Sequence, residues 1–328
     1  MLDLVVYGAT GDAGRAVCRH LAQKQRGEPV KWAVAGRNRA KLEALVATLG
    51  GTGSVPAIVI ADSDDAASLA RMAEGAKVVF SAAGPYLRVG EPVIAACIEA
   101  GAHYADITGE VHWVGEMEKK YGARAAEKGV CIASFCGYDS IPSELSVFAA
   151  RTALKLPPKR GDLFFVETAV ALKAPGAPGA PRGTLATVLV SLGADRLVGF
   201  CRGWGAFVGS SQLGPSLRSL LGSACIGWSP HVGVFTFSHF MAWCNVPVVH
   251  KAFGGEGPLR YQDRQVRRVA SPILSHHGCP PCAAAFGQDI DRSIYMRYIS
   301  MYVSIYIYTS IYLCISLSLS ISYIYIYI

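Results

Sequence analysis

The chain has 328 residues, 52% hydrophobic and 17% charged, with a formal net charge of +7. That length suits about two globular domains, and the basic residues fall in short groups such as "QKQR" and "RQVRR", which argues against the clustered charge of a nucleic-acid surface. The ten cysteines follow no disulfide spacing, and the chain opens into an apolar run without a secretory leader, so a reducing, intracellular compartment is expected.

In chain order, short apolar runs at 2–7, 30–35, 57–61, 77–82, 103–107 and 130–135 read as strands. Helical spacing appears between them, at 39–49, 91–100 and 113–128, and each of these segments is followed by a glycine. Strands alternating with helices of this size predict an α/β fold, a doubly wound parallel sheet of the Rossmann type covered on both faces.

The first strand runs into "VVYGATGDAGRAV", residues 5–17. Gly8, Gly11 and Gly14 stand between a strand and a helix, the context a dinucleotide fingerprint needs. Gly8 permits the turn, Gly11 lets the backbone approach a pyrophosphate, and Gly14 lets the helix pack on the strand. With Ala9 and Thr10 these residues form the expected cofactor loop, and the first amides of the helix supply donors to the anion. The bland reading is a glycine-rich turn.

The second strand ends "AVAGRNRAK". Arg37 stands where an NAD site carries an acid for the ribose hydroxyl. A guanidinium pairs with a 2′-phosphate, so NADP is the expected cofactor and NAD the alternative. Asp62 ends the third strand, where it either reaches the adenine or caps the next helix. "SAAGPY", residues 81–86, ends the fourth strand. Ala83, Gly84, Pro85 and Tyr86 are placed on the nicotinamide side of the crevice.

Three residues are candidates for proton transfer. Tyr86 follows the Gly-Pro turn, where it is either an acid or a packing residue. Asp106, in "HYADITGE", lies on the same face as Tyr104 by alternation; helix capping by Thr108 or Glu110 accounts for the same composition. Asp139, in "CGYDSIPSE", contacts substrate or, with Ser140, caps a helix whose first turn holds Pro142 and Glu144. Cys136 has no nearby histidine and reads as a buried thiol.

Beyond residue 151 the rhythm changes. Residues 155–162 read as a linker, 163–172 as a strand, 173–183 as a Pro/Gly loop and 184–197 as a helix. Periodicity weakens after 201 and no element is evident after 250. "HHGCPPC", residues 276–282, has thiols at metal-ligand spacing but no second pair, so no metal site is expected.

From 293 onward the chain is nearly all Ile, Tyr and Ser, with no charge after Arg297. Length alone suggests a membrane span, and alternation suggests a strand. A third reading accounts for the composition better: a TA repeat read in triplets gives Tyr-Ile-Tyr-Ile, and a TC repeat gives Ser-Leu-Ser-Leu. The tail therefore reads as translated simple-repeat DNA and carries no functional expectation.

The combination "GATGDAGR", "AVAGRNRAKL", "GPYLRVGEPVIAACIEAGAHYADITGE" and "CGYDSIPSEL" resembles the saccharopine dehydrogenase-like oxidoreductases, including the trans-acting enoyl reductases. "PRGTLATVLVSL" is similar to the start of that family's second domain. The resemblance implies nicotinamide-dependent redox chemistry on a small-molecule or lipid-derived substrate such as an enoyl or carbonyl group. It also implies association with membranes or lipid droplets, and a homodimer. It carries Gly8, Gly11 and Gly14 over as cofactor loop, Arg37 as ribose-phosphate contact, and Gly84, Pro85 and Tyr86 as crevice wall. The expected organisation is a Rossmann domain over 1–150 and the start of a partial α/β substrate or dimerisation domain over 160–250. An irregular stretch over 251–292 and the low-complexity tail over 293–328 complete it. Two further readings stay open: a non-catalytic dinucleotide-binding protein at lipid surfaces, and a truncated, inactive product.

Overall fold

The computed structural model describes residues 1–23, 30–49, 56–137, 140–153, 164–172, 204–224, 227–229, 234–239, 241–253 and 259–267. The chain divides into two compact units, one built on Met1–Tyr138 and the other starting from Asp139.

The first unit alternates β1 (Leu2–Tyr7), α1 (Asp12–Gln23), β2 (Trp32–Gly36), α2 (Arg39–Thr48), β3 (Ala57–Ile60), α3 (Ala66–Glu74), β4 (Ala76–Ser81), α4 (Tyr86–Ala100), β5 (His103–Asp106), α5 (Val111–Glu127) and β6 (Ile132–Ala133). The six strands pair in parallel in the order β3-β2-β1-β4-β5-β6. This is the doubly wound Rossmann order, and its direction reverses between β1 and β4, the switch point at which sheets of this order form their binding crevice, at the strands' carboxyl ends.

Period-two alternation distributes the core over both faces. Val5, Val79 and Tyr104 point into one apolar cluster with Leu69, Met72, Ile94, Ile98 and Trp113. Leu4, Val6, Val34, Phe80 and Ala105 point into the other, with Cys18, Leu21, Leu42 and Leu45. Near-continuous apolar strands such as "LVVY" and "WAVA" follow from having helices on both sides.

Two boundaries differ from the sequence expectation. Helix α4 begins at Tyr86, five residues ahead of the expected start, because Pro92 resembles a first-turn proline yet lies inside the helix. Strand β6 is cut to two residues. Phe135 turns away at φ +63, and the Cys136 amide donates to the Asp106 carbonyl, 2.8 Å away.

The second unit contains α6 (Ile141–Ala153), β7 (Phe164–Leu172), α7 (Ser210–Ala224), β8 (Gly227–Ser229), β9 (Val234–Ser238), α8 (Ala242–Phe253) and β10 (Leu259–Arg267). Its sheet runs β7-β10-β9-β8, with β7 and β10 parallel and the other pairs antiparallel. Strand β7 matches the expected 163–172. The sequence reading missed α7 to β10. "LRYQDRQVR" is too polar to read as an apolar run, yet it pairs with β7 along its whole length. Pro215 and Pro247 interrupt the helical signal of α7 and α8.

Val147, Ala242, Val246, Val249 and Tyr261 form the buried centre of this unit. A buried serine–histidine contact knits it together: His250 Nε2 lies 2.8 Å from Ser219 Oγ, which also accepts the Tyr261 amide at 3.1 Å. Burial pushes the His250 imidazole down to about 4. Both side chains are enclosed, so the pair has the setting of a structural contact, not of a nucleophile. The linker at 155–162, the 173–183 loop, the 184–197 helix, "HHGCPPC" and the tail lie outside the described residues.

Candidate functional site

The glycine loop lies at the β1 end of the crevice. Gly8 adopts φ +75, and a Cβ there would stand 2.7 Å from the Ala83 amide nitrogen. The start of the loop therefore packs directly on the segment after β4. A Cβ on Gly14 would fall 2.3 Å from the Gly8 carbonyl oxygen, so this glycine lets α1 close on β1.

Gly11 differs from both. A Cβ there would meet only the Gly8 oxygen, at an ordinary 3.4 Å. The fold leaves room at Gly11 that no described protein group fills. Beside it, among the described residues, nothing accepts from the amides of Asp12, Ala13 and Gly14 at the start of α1. Bare amides, the positive end of a helix dipole and an open Gly11 fit a pyrophosphate. Ala9 is buried and its amide is tied to the Ala35 carbonyl. The Thr10 carbonyl accepts from Arg15 Nε at 2.9 Å, which holds a guanidinium against the loop. Sequence reading passed over Arg15, although its place just after the third glycine was visible.

At the β2 end, Asn38 caps α2 by accepting the Lys41 amide, and Arg39 pairs with Glu43 at 3.7 Å. Arg37 is exposed and has no ion pair among the described residues. Burial raises the Tyr7 phenol above its usual range; Asp62 adds to the rise and Arg37 opposes it. Arg37 and Asp62 thus both act on the end of β1. Asp62 does not cap α3. Asp65 does, accepting the Ala67 and Ser68 amides, while Asp62 turns back to accept the Asp64 amide.

On the β4 side, the Ala82 amide donates to the Tyr7 carbonyl. Ala83 and Pro85 are half-buried and Gly84 is exposed. Tyr86 is buried. Its hydroxyl donates to the Ser81 carbonyl at 2.9 Å and accepts the Ile107 amide at 3.4 Å, and its ring packs on Trp113. Burial raises its phenol well above the ordinary range.

Asp106 neighbours Ser81 in the sheet and is fully enclosed. Its carboxylate accepts the Thr108 amide at 3.0 Å, the Phe135 amide at 3.3 Å and the Ser134 hydroxyl at 3.2 Å. Burial raises it to about 7, partly opposed by these donors. It braces the ends of β5 and β6. Tyr86 and Asp106 are thereby brought together, both closed off from solvent. Asp139 lies outside the described residues. In the second unit, the Ser140 hydroxyl donates to Asn245 Oδ1 at 3.3 Å instead of capping α6.

Residues 4–133 match the family described as saccharopine dehydrogenase NADP binding domain. That match lies within the N-terminal unit, and NADP is the cofactor that the matched domain is described as binding. Curated relatives carry the same similarity. The chain is 39% identical over 195 residues to the "Lipid droplet localized protein" of Caenorhabditis elegans, covering 58% of this chain and 45% of that one. It is 41% identical over 145 residues to the "Trans-acting enoyl reductase" of Mycobacterium ulcerans, covering 44% and 34%. It is 43% identical over 161 residues to the "Saccharopine dehydrogenase-like oxidoreductase" of Homo sapiens, covering 46% and 38%. The chain spans under half the length of these relatives. Among its described residues no helix is long and apolar enough to cross a membrane.

Proposed function

We propose that this NADP-binding unit serves an oxidoreductase that reduces an enoyl or carbonyl group of a small-molecule or lipid-derived substrate. The observation that carries this reading is the pairing of open amides at the start of α1 with a glycine whose missing side chain no protein contact demands. Gly8, Ala9, Thr10, Gly11 and Gly14 would hold the pyrophosphate and Arg37 the 2′-phosphate. Ala83, Gly84 and Pro85 would wall the nicotinamide, and Asp62 would border the adenosine. Bound NADPH supplies the hydride. The chain's own contribution is to bind, orient and shield it. Relatives named for enoyl reduction and for a lipid droplet support the lipid-derived substrate class and association with a lipid surface.

The enclosure of Tyr86 and Asp106 favours a second reading, a dinucleotide-binding protein at a lipid surface that performs no turnover. Incubating the full chain with NADPH and medium-chain enoyl thioesters or aldehydes, and following absorbance at the reduced nicotinamide band, separates the two. Substrate-dependent oxidation supports the first reading. Saturable NADPH binding without oxidation of any substrate in either class supports the second.

A further inference from the structure

Two helices begin at the edge of the crevice, and they are finished differently. The first amides of α1 are open. Those of α4 are not: Tyr86 and Leu87 donate to the two carboxylate oxygens of Glu110, at 3.0 and 2.7 Å, and Arg88 and Val89 donate to the Pro85 carbonyl. Pro85, the N-cap of α4, provides no side-chain cap. The cap comes from 23 and 24 residues further along the chain.

Glu110 stands at the N-cap of its own helix, α5, yet makes no side-chain cap there. It is 1% exposed, and its amide donates to Thr108 Oγ1 at 3.0 Å, while the Thr108 amide donates to Asp106. These nested turns fix the backbone from which the carboxylate reaches α4. A buried carboxylate lying between two amides at a positive helix end is compensated by both. Ala83 and Gly84 thus lie between two fixed points. Gly8 packs against Ala83 on one side, and the α4 start, held by Glu110, follows on the other.

We propose that Glu110 is a positioning residue for the nicotinamide half of NADPH. It clamps the start of α4 so that the 83–85 wall holds its place, and it occupies the second helix terminus so that the pyrophosphate is directed to α1. This rests on the NADP reading above. It differs from a general stabilising role because it acts on one half of the cofactor only.

The test compares NADPH with adenosine 2′,5′-bisphosphate, which carries the adenosine and 2′-phosphate but no nicotinamide. Binding of both is measured by calorimetry on the full chain of wild type, Glu110→Ala and Glu110→Gln, with circular dichroism confirming the fold. In Glu110→Ala, NADPH should weaken about tenfold or more, while the bisphosphate changes by less than about twofold. Glu110→Gln keeps one acceptor oxygen and should recover part of the NADPH affinity. If the alanine variant does not fold, the glutamine variant decides: a selective loss for NADPH supports the clamp. Equal losses for both ligands, or no loss for either in a folded variant, overturn it. Wild-type protein that bound neither ligand would instead overturn the cofactor reading itself.

Discussion

Gly11 and Gly14 stand three residues apart in the same loop, and the structure predicts opposite costs for giving each a side chain. An alanine Cβ at 14 would lie 2.3 Å from the Gly8 oxygen and 2.8 Å from Ala9 Cα. Both are backbone atoms, so α1 must move off β1. Overpacking of this kind costs about 1–3 kcal/mol, which lowers the melting temperature by several degrees in a domain well above 100 residues, at roughly 2–4 °C per kcal/mol. An alanine Cβ at 11 meets one oxygen at 3.4 Å and should leave the melting temperature within about 2 °C of wild type. It occupies the space through which a pyrophosphate would reach the α1 amides. Gly11→Ala should therefore weaken NADPH binding by roughly tenfold to a hundredfold, or about 1.4–2.8 kcal/mol, in a protein that melts normally. Differential scanning fluorimetry and NADPH fluorescence titration on the same samples read both quantities. A Gly11→Ala variant that melts like wild type and binds NADPH as tightly would refute the reasoning, because the open side of Gly11 would then face no ligand.

Further outcomes follow from the other end of the crevice and from its floor. Arg37→Glu should reverse the preference for NADPH over NADH, lowering the ratio of affinities by about tenfold or more; competition titrations with the two cofactors measure it. Asp106 is raised to about 7 by burial, against about 3.9 in an unfolded chain. Between those values the folded state binds more protons than the unfolded one. Stability should therefore fall as pH rises from about 4 to about 7, by at most about 1.4 kcal/mol per unit from this group. Asp106→Asn should flatten that slope in urea melts across the range, and an unchanged slope would place the titration elsewhere.

The first unit was legible because its signals are local. Strands buried on both faces leave apolar runs such as "LVVY", and the glycines after β1 mark the crevice. The position of Arg37 just after β2 follows from the same local pattern. The parts that escaped are those decided by contact between distant segments. Nothing near Pro85 announces that Glu110 will complete α4, and helical spacing alone places only its later part, from residue 91. Asp62 and Asp65 offer the same chemistry three residues apart, and only the course of the backbone chooses Asp65 as the cap. Tyr86 has the composition of a catalytic tyrosine, but its hydroxyl is taken by Ser81 and Ile107. In the second unit, β10 owes its existence to the partner strand and not to its own pattern.

Calorimetric titration of the full-length chain with NADPH, and separately with NADH, tests the central claim most directly. The account predicts one saturable site that takes NADPH more tightly than NADH. Absence of heat from both nucleotides in folded protein would contradict it.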